Sequence, residues 1–294
     1  MKTKTLFFSV MMSFLTYTSC TNDPDPKTAA NVTTDDIAAN QQVDDAFDDV
    51  LAIAEDQYEA TEGSITGKTN ILPYNSILPD CVTFSDLGST ELVRVWTIIF
   101  GTETTPCKFR GHYLKGKIIL TRTRGTTFPK TMTITYSNFY INDNNIDGTA
   151  TWTREMVGTI DVDLHPKTTF TMTEMKLTTS KGTYTRNGNR IREMIEGFDT
   201  RAILSDNVFK TYGTFTTTHP NGTVFSSLIE SETPLIHKTA CSLLDTPMPF
   251  PVSGVLKLTK NPHSATINYG SGACDNLATL SIDGGEPIEI TLGK

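Results

Sequence analysis

The chain lacks any apolar run long enough to stay in a bilayer as a helix. Its longest, residues 6–17 (LFFSVMMSFLTY), is about a dozen residues, whereas a ~30 Å hydrocarbon core takes about twenty. It has no G-x-S-x-G elbow, no H-E-x-x-H, no P-loop and no G-x-G-x-x-G, so the motifs that announce a serine hydrolase, a zincin, an NTPase or a dinucleotide enzyme are missing. No C-x-x-C or paired histidine favours a zinc site, and His112, His165, His219, His237 and His263 stand singly. Positive charge is scarce, with 25 Lys+Arg against 33 Asp+Glu, a net charge of −8 and a pI near 5.1. Such a balance supplies no sustained basic surface for a phosphate backbone, which excludes nucleic acid as a partner. No cofactor signature is present.

What is there begins at the N-terminus. Lys2 and Lys4 precede the apolar run, and Thr18 and Ser19 lead into Cys20. This is the layout of a secretory signal, and because it ends on a cysteine it resembles a bacterial lipoprotein signal. Residues 1–19 would be removed and Cys20 would become the acylated N-terminus, anchoring the chain to a membrane. Residues 20–34, polar and carrying Pro24 and Pro26, read as a flexible tether. Loss of the two lysines leaves a formal charge of about −10. The Asp23-Pro24-Asp25 stretch just after the cysteine resembles the export signal of Bacteroidota lipoproteins. The expected location is therefore the outer membrane, facing the cell exterior, with a periplasmic orientation as the alternative.

Residues 35–63 predict the one good helix. Ile37, Val43, Phe47, Val50, Leu51, Ala54 and Tyr58 fall at steps of three, four and seven, Asp35 and Asp36 favour its start, and Gly63 ends it. The pairs Asp44-Asp45 and Asp48-Asp49 lack the oxygen spacing of a calcium loop and read as a solvated helix face.

Beyond residue 70 the period changes from 3.6 to 2. A dozen candidate strands follow, separated by turn dipeptides that include Asp147-Gly148, Lys181-Gly182, Asn187-Gly188, Asn221-Gly222 and Asp283-Gly284. About fifty threonines suit strands with one wet face. The fold class is mainly β: an antiparallel β-sandwich or an open barrel-like roll over 70–294. The stretch 187–206 breaks the strand pattern and suggests two related halves, about 70–190 and 205–294.

A weak repeat supports those halves. A strand ending in aromatic-Gly, a loop with one cysteine and a returning strand occur around Cys107 and again around Cys274, with Cys81 and Cys241 upstream of each. Four cysteines remain once Cys20 is set aside, and in an exported chain an even count favours disulfides. Three pairings are open; the repeat favours Cys81–Cys107 with Cys241–Cys274.

The C-terminal run PVSGVLKLTKNPHSATINYGSGACDNLATLSIDGGEPIEITL, the central TMTITYSNFYINDNNIDGTATWT and residues 78–81 (LPDC) together resemble a family of uncharacterised β-rich lipoproteins of Bacteroidota, across roughly residues 35–294. The resemblance implies export, a β-rich fold and a lipid anchor. It carries no activity and no catalytic residues.

Two constellations could still hold a ligand. Asp143, Asn145 and Asp147, followed by Gly148, match the opening of a calcium loop, although Arg154 stands where the closing Glu belongs and a hairpin turn explains the run more simply. Asp161, Asp163 and His165 alternate on one strand face, a pattern that solvent-facing strands share. Trp96 sits among apolar residues and reads as core; Trp152, among threonines, is the better candidate for stacking on a sugar. The sequence therefore points to a non-catalytic surface lipoprotein binding a glycan or protein partner. The alternatives are a carrier of an apolar ligand in an open barrel and a glycan hydrolase, which would need paired carboxylates in a cleft.

Overall fold

The computed structural model describes residues 31–63, 76–125, 127–159, 162–200, 203–246 and 248–292. Cys20, the signal segment and Asp161 lie outside them. Residues 31–294 form one compact unit. It starts with α1 (Thr34–Gly63) and continues through β1 (Thr83–Ser85), β2 (Val93–Phe100), β3 (Cys107–Phe109), β4 (His112–Thr123), β5 (Lys130–Ile141), β6 (Asn144–Thr159), β7 (Val162–Thr179) and β8 (Gly182–Glu196). The second stretch holds β9 (Val208–Thr218), β10 (Val224–Ile229), β11 (Leu235–Lys238), a one-turn α2 (Thr239–Ser242), β12 (Ser253–Lys260), β13 (His263–Ser271), β14 (Leu277–Ile282) and β15 (Ile288–Thr291).

These strands make one antiparallel sheet in chain order, with β3 beside β4 and β11 bridging β9 and β12. The fold is mainly β, one large antiparallel sheet with one main helix near the N-terminus, consistent with the expected sandwich or roll. Its two free edges, β1 and β15, are three and four residues long, which limits the unpaired backbone a neighbour could extend. Alternation sorts the faces. Ala150, Trp152, Phe170 and Met172 are buried on the concave side, while Thr121, Thr133, Thr151 and Thr171 stand in register across β4 to β7 on the convex side.

The sheet bends because a line of left-handed residues crosses it. Gly116, Asn138, Gly148, Glu174, Gly188 and Gly213 all have positive φ, one on each strand from β4 to β9, and the pairing register slips beside the first five. Bulges and glycine kinks of this kind increase local twist and turn a corner. Two expectations change here. Asp147-Gly148 and Asn187-Gly188 are not hairpin turns but lie inside β6 and β8 on this crease. The strand pattern also does not break at 187: β8 runs to Glu196 and pairs with β9 from Thr185 to Glu196, so the sheet is continuous across the expected junction of two halves. The halves survive only as two apolar clusters, one from β2 to β9 with α1, the other from β10 to β14.

The concave face wraps α1. Thr33 and Asp36 close its start as a reciprocal capping box, each side chain accepting from the other's backbone N–H at 3.1 Å. Between Val43 and Tyr58 only Asp45 is exposed. The apolar stripe meets the first cluster through Phe47, Val50, Ile53 and Ala54, and each such side chain contributes about 1.5–3 kcal/mol on burial. Disulfides Cys81–Cys107 and Cys241–Cys274, the pairs the repeat favoured, close loops of 26 and 33 residues.

Candidate functional site

The acidic side of α1 is only partly solvated, which corrects the reading of its Asp pairs: Asp45 is exposed and the Asp48 side chain is 46% exposed, but the other two are not. Asp44 and Asp49 are buried, and acids along the helix meet arginines that project inward from the sheet. Arg186 on β8 reaches Asp44 at 2.5 Å, Arg190 joins both Asp44 and Asp48, Arg192 meets Glu55 at 2.5 Å, and Arg154 on β6 pairs with Glu59. Arg110, on the β3–β4 turn, lies 3.6 Å from Asp49, with His112 Nε2 at 3.9 Å from the same carboxylate. The reason is compensation: a charge taken from water is tolerated when it is paired and hydrogen-bonded. Positions 44, 48, 55 and 59 are separated by four, seven and four residues, so all four acids lie on one helix face.

Two chambers open along this face. The first, about 150 Å³, holds Gln41, Asp44, Asp45 and Asp48 against Arg110, Arg190 and Arg192, with Phe250 and Tyr269 in its wall. The second, also about 150 Å³, follows α1 onward to Glu59. Ala52, Arg110 and Arg192 line both and form the partition between them. From Gln41 to Glu59 the helix rises about 27 Å, which is the length of the combined cleft.

The first chamber is electrostatically unusual. Asp45 has Gln41 Nε2 as a donor at 2.7 Å and no cation partner among the described residues. Asp45 keeps an exposed side chain, but the helix and sheet groups crowded around it desolvate the carboxylate, Asp48, Asp44 and Asp49 add negative potential, and its carboxyl is pushed up to about 7. Burial raises Asp49 to about 6, against the opposing pull of Arg110 and His112. Burial also holds His237 neutral, with its pKa down to about 3, and Arg192, Arg190 and Arg110 push in the same direction. The cleft thus offers carboxylates as acceptors and guanidinium groups as donors, side by side.

The residues singled out from the sequence lie elsewhere. Trp152 is fully buried, its ring 4.5 Å from Tyr58, so it cannot stack on an external sugar; it faces inward because it alternates with the outward threonines of β6. Asp143 lies in the two-residue turn between β5 and β6, Asn145 donates to Phe139 O at 3.0 Å, and Asp147 lies opposite Lys176 in the ladder. An extended hairpin cannot wrap oxygens around an ion as a calcium loop does, and among the described residues no group of three His, Cys, Asp or Glu converges for a metal. His165 pairs with Glu193 at 2.8 Å. Trp96, half-buried, donates from Nε1 to Gln57 Oε1 at 3.0 Å and stacks on the exposed Phe84.

Sequence reasoning missed the arginines altogether. Their signal was present: Arg186, Arg190 and Arg192 occupy β8 positions of one parity, the parity of buried Tyr184. No helix among the described residues is long and apolar enough to cross a membrane. No family model, no curated protein and no solved structure matches this chain.

Proposed function

We propose that this chain is an exported, non-catalytic lipoprotein of the Bacteroidota type it resembles, tethered to the outer membrane through Cys20 and facing outward, and that it binds a glycan in the cleft beside α1. The anchor and address rest on the N-terminal sequence. The glycan rests on one observation: the first chamber interleaves Asp44, Asp45 and Asp48 with Arg110, Arg190 and Arg192 beside Phe250 and Tyr269. Vicinal hydroxyls donate to carboxylates and accept from guanidinium groups, and sugar rings lie on aromatic faces, so a chamber with both acceptors and donors and little net charge suits a neutral polyol. The carrier alternative has less support, because α1 occupies the interior that an open barrel would leave for a large apolar cargo.

A glycan panel presented to the purified full-length protein tests the binding half. Saturable binding of a neutral glycan, weakened at least tenfold by Asp45→Ala, is the expected result. Binding that Asp45→Ala leaves unchanged removes the first chamber from the account, and turnover of the bound glycan replaces binding with hydrolysis. Protease shaving of intact cells tests the address: wild type should be membrane-bound and shaved, and Cys20→Ala released.

A further inference from the structure

The first chamber is lined by as many acids as arginines, yet its charges do not cancel. Arg190 is held by Asp44 and Asp48, Arg192 by Glu55 and Arg110 by Asp49, so each of the three cations is already engaged. Asp45 is the carboxylate left over in the wall. Its one hydrogen-bond partner among the described residues is the neutral Gln41 amide at 2.7 Å. Its neighbours along α1 are Asp44, Asp48 and Asp49, so the ionised form stands in a field of its own sign. A cation carried by a ligand would supply what the protein does not.

The sheet side of the chamber carries neutral groups that also lack partners. Thr211 on β9 and Tyr269 on β13 are each 5% exposed and line the chamber, and neither hydroxyl has a partner among the described residues. Neither oxygen is sealed, so the little surface these residues keep includes it. His237 on β11 joins them, held neutral by burial, with both ring nitrogens unpartnered among the described residues. In the β9–β11 ladder Leu235 stands opposite Thr211 and His237 opposite Phe209, so Thr211 and His237 project from one face. Burial, then the nearby Asp44 and Asp45, push the Tyr269 pKa up, which keeps its hydroxyl protonated. A hydroxyl and a neutral imidazole each donate and accept, as sugar hydroxyls do, and leaving such groups unmet at a buried site is costly.

The geometry points to an amino sugar as the occupant, a hexose unit whose hydroxyls meet Thr211, His237 and Tyr269 and whose ammonium meets Asp45. This inference rests on the reading that the chamber takes a glycan, and it names the class of glycan. The ammonium donates to the Asp45 carboxylate and cancels its charge, while the ring hydroxyls exchange donors and acceptors with the sheet side. At about 10–15 Å³ per water-sized group, the 150 Å³ chamber admits roughly ten to fifteen non-hydrogen atoms, the size of one such ring. An acetylated nitrogen has no charge, so an N-acetyl sugar loses the pairing with Asp45.

Glucosamine, galactosamine and mannosamine are titrated into the purified full-length protein at pH 7.5 by calorimetry and saturation-transfer NMR, each beside its parent hexose and its N-acetyl form. At least one amino sugar should bind saturably and at least tenfold more tightly than both counterparts. Asp45→Asn, which keeps an acceptor and removes the charge, should bring that sugar within about threefold of its parent. Tyr269→Phe should weaken amino sugar and parent alike, at least fivefold, without lowering the melting temperature, because the hydroxyl has no partner among the described residues to lose. An amino sugar no tighter than its parent, a preference that survives Asp45→Asn, or full binding by Tyr269→Phe would each overturn the inference and leave the glycan reading standing. Cyclohexylamine, a ring with an ammonium and no hydroxyls, binding as tightly as the amino sugar would overturn both, as would no binding of any sugar.

Discussion

Arg186 is wholly buried and places Nη1 2.5 Å from Oδ1 of Asp44, a residue 142 positions earlier in the chain. This contact joins the helix to the middle of the sheet. Its guanidinium also lies over the rings of Phe47 and Phe215 and donates to Thr217 Oγ1 at 3.1 Å, so most of its surroundings are built around its charge.

Replacing Arg186 by Met should cost about 3 kcal/mol, the low end for breaking a buried pair, because Arg190 Nη2 remains 3.3 Å from Asp44. Adding Asp44→Asn to Arg186→Met should restore part of that loss, since the stranded carboxylate is removed. Urea denaturation of wild type, the single variant and the double variant measures it; equal midpoints for wild type and Arg186→Met would show the pair to be energetically silent.

Asp45 should make stability fall with rising pH. Its native value of about 7 lies above the ordinary 3.8, so between those values the folded protein holds a proton the unfolded chain has released. Stability is therefore lost as pH rises from about 4 to about 7. Asp49, raised to about 6, acts in the same sense over a narrower window. His237 acts oppositely, because its native value of about 3 lies below the ordinary 6.5 and the unfolded chain takes up the proton first. Comparing Asp45→Asn with wild type cancels the other two: the melting temperatures should coincide near pH 4, and the variant should lead increasingly up to pH 8.

Gly188 should tolerate no side chain. Its φ is +131°, and an added Cβ would stand 2.2 Å from Thr214 O and 2.9 Å from Phe215 Cα, both fixed by the β8–β9 ladder. Gly222 also has positive φ, at +83°, but a Cβ there meets nothing within 4 Å. Gly222→Ala should cost about 1 kcal/mol for the left-handed backbone alone, and Gly188→Ala clearly more, about 2–3 kcal/mol. Thermal denaturation of the two variants side by side checks the order.

The two disulfides should contribute separately. Closing 26 and 33 residues predicts about 3–4 kcal/mol for each in the chain-entropy account. Cys81→Ser with Cys107→Ser, and Cys241→Ser with Cys274→Ser, should each lower the denaturation midpoint, and their losses should add within about 0.5 kcal/mol because each bridge closes its own loop.

Much of the fold was legible because it follows period. The 3.6-residue recurrence of Val43, Phe47, Val50 and Ala54 gives the helix, and the threonines alternating with Ala150, Trp152, Phe170 and Met172 give strands with one wet face. The candidate site was not legible for a related reason. On β8 the positions that face α1 carry Arg186, Arg190 and Arg192 instead of apolar side chains, so no apolar alternation marks the inward face there. The acids of α1 likewise imitate a wet face, because a carboxylate bonded to a buried arginine and one bonded to water have the same letter. Asn187-Gly188 has the composition of a hairpin turn but supplies the left-handed residue of a crease, and only the paired strand on each side separates the two uses. Trp152 was misread because its threonine neighbours describe the opposite face.

The distance along the chain between α1 and β8 sets an order of events. At about 5–20 residues per second, the 142 residues from Asp44 to Arg186 take between about 7 and 28 s to synthesise after the helix has been made. Until Arg154 of β6 is made, 110 residues after Asp44, the helix carries an apolar stripe and a row of acids with no arginine from β6 or β8 to meet them, and no arginine of β8 is available before Arg186. An isolated helix gains most of its stability from packing, so this one remains a latent element that becomes ordered only when the far strands arrive. A chain cut short anywhere before Arg186 would expose Phe47, Val50 and Ile53 while leaving Asp44 without its guanidinium, and quality control would meet a sticky, acidic, half-formed sheet.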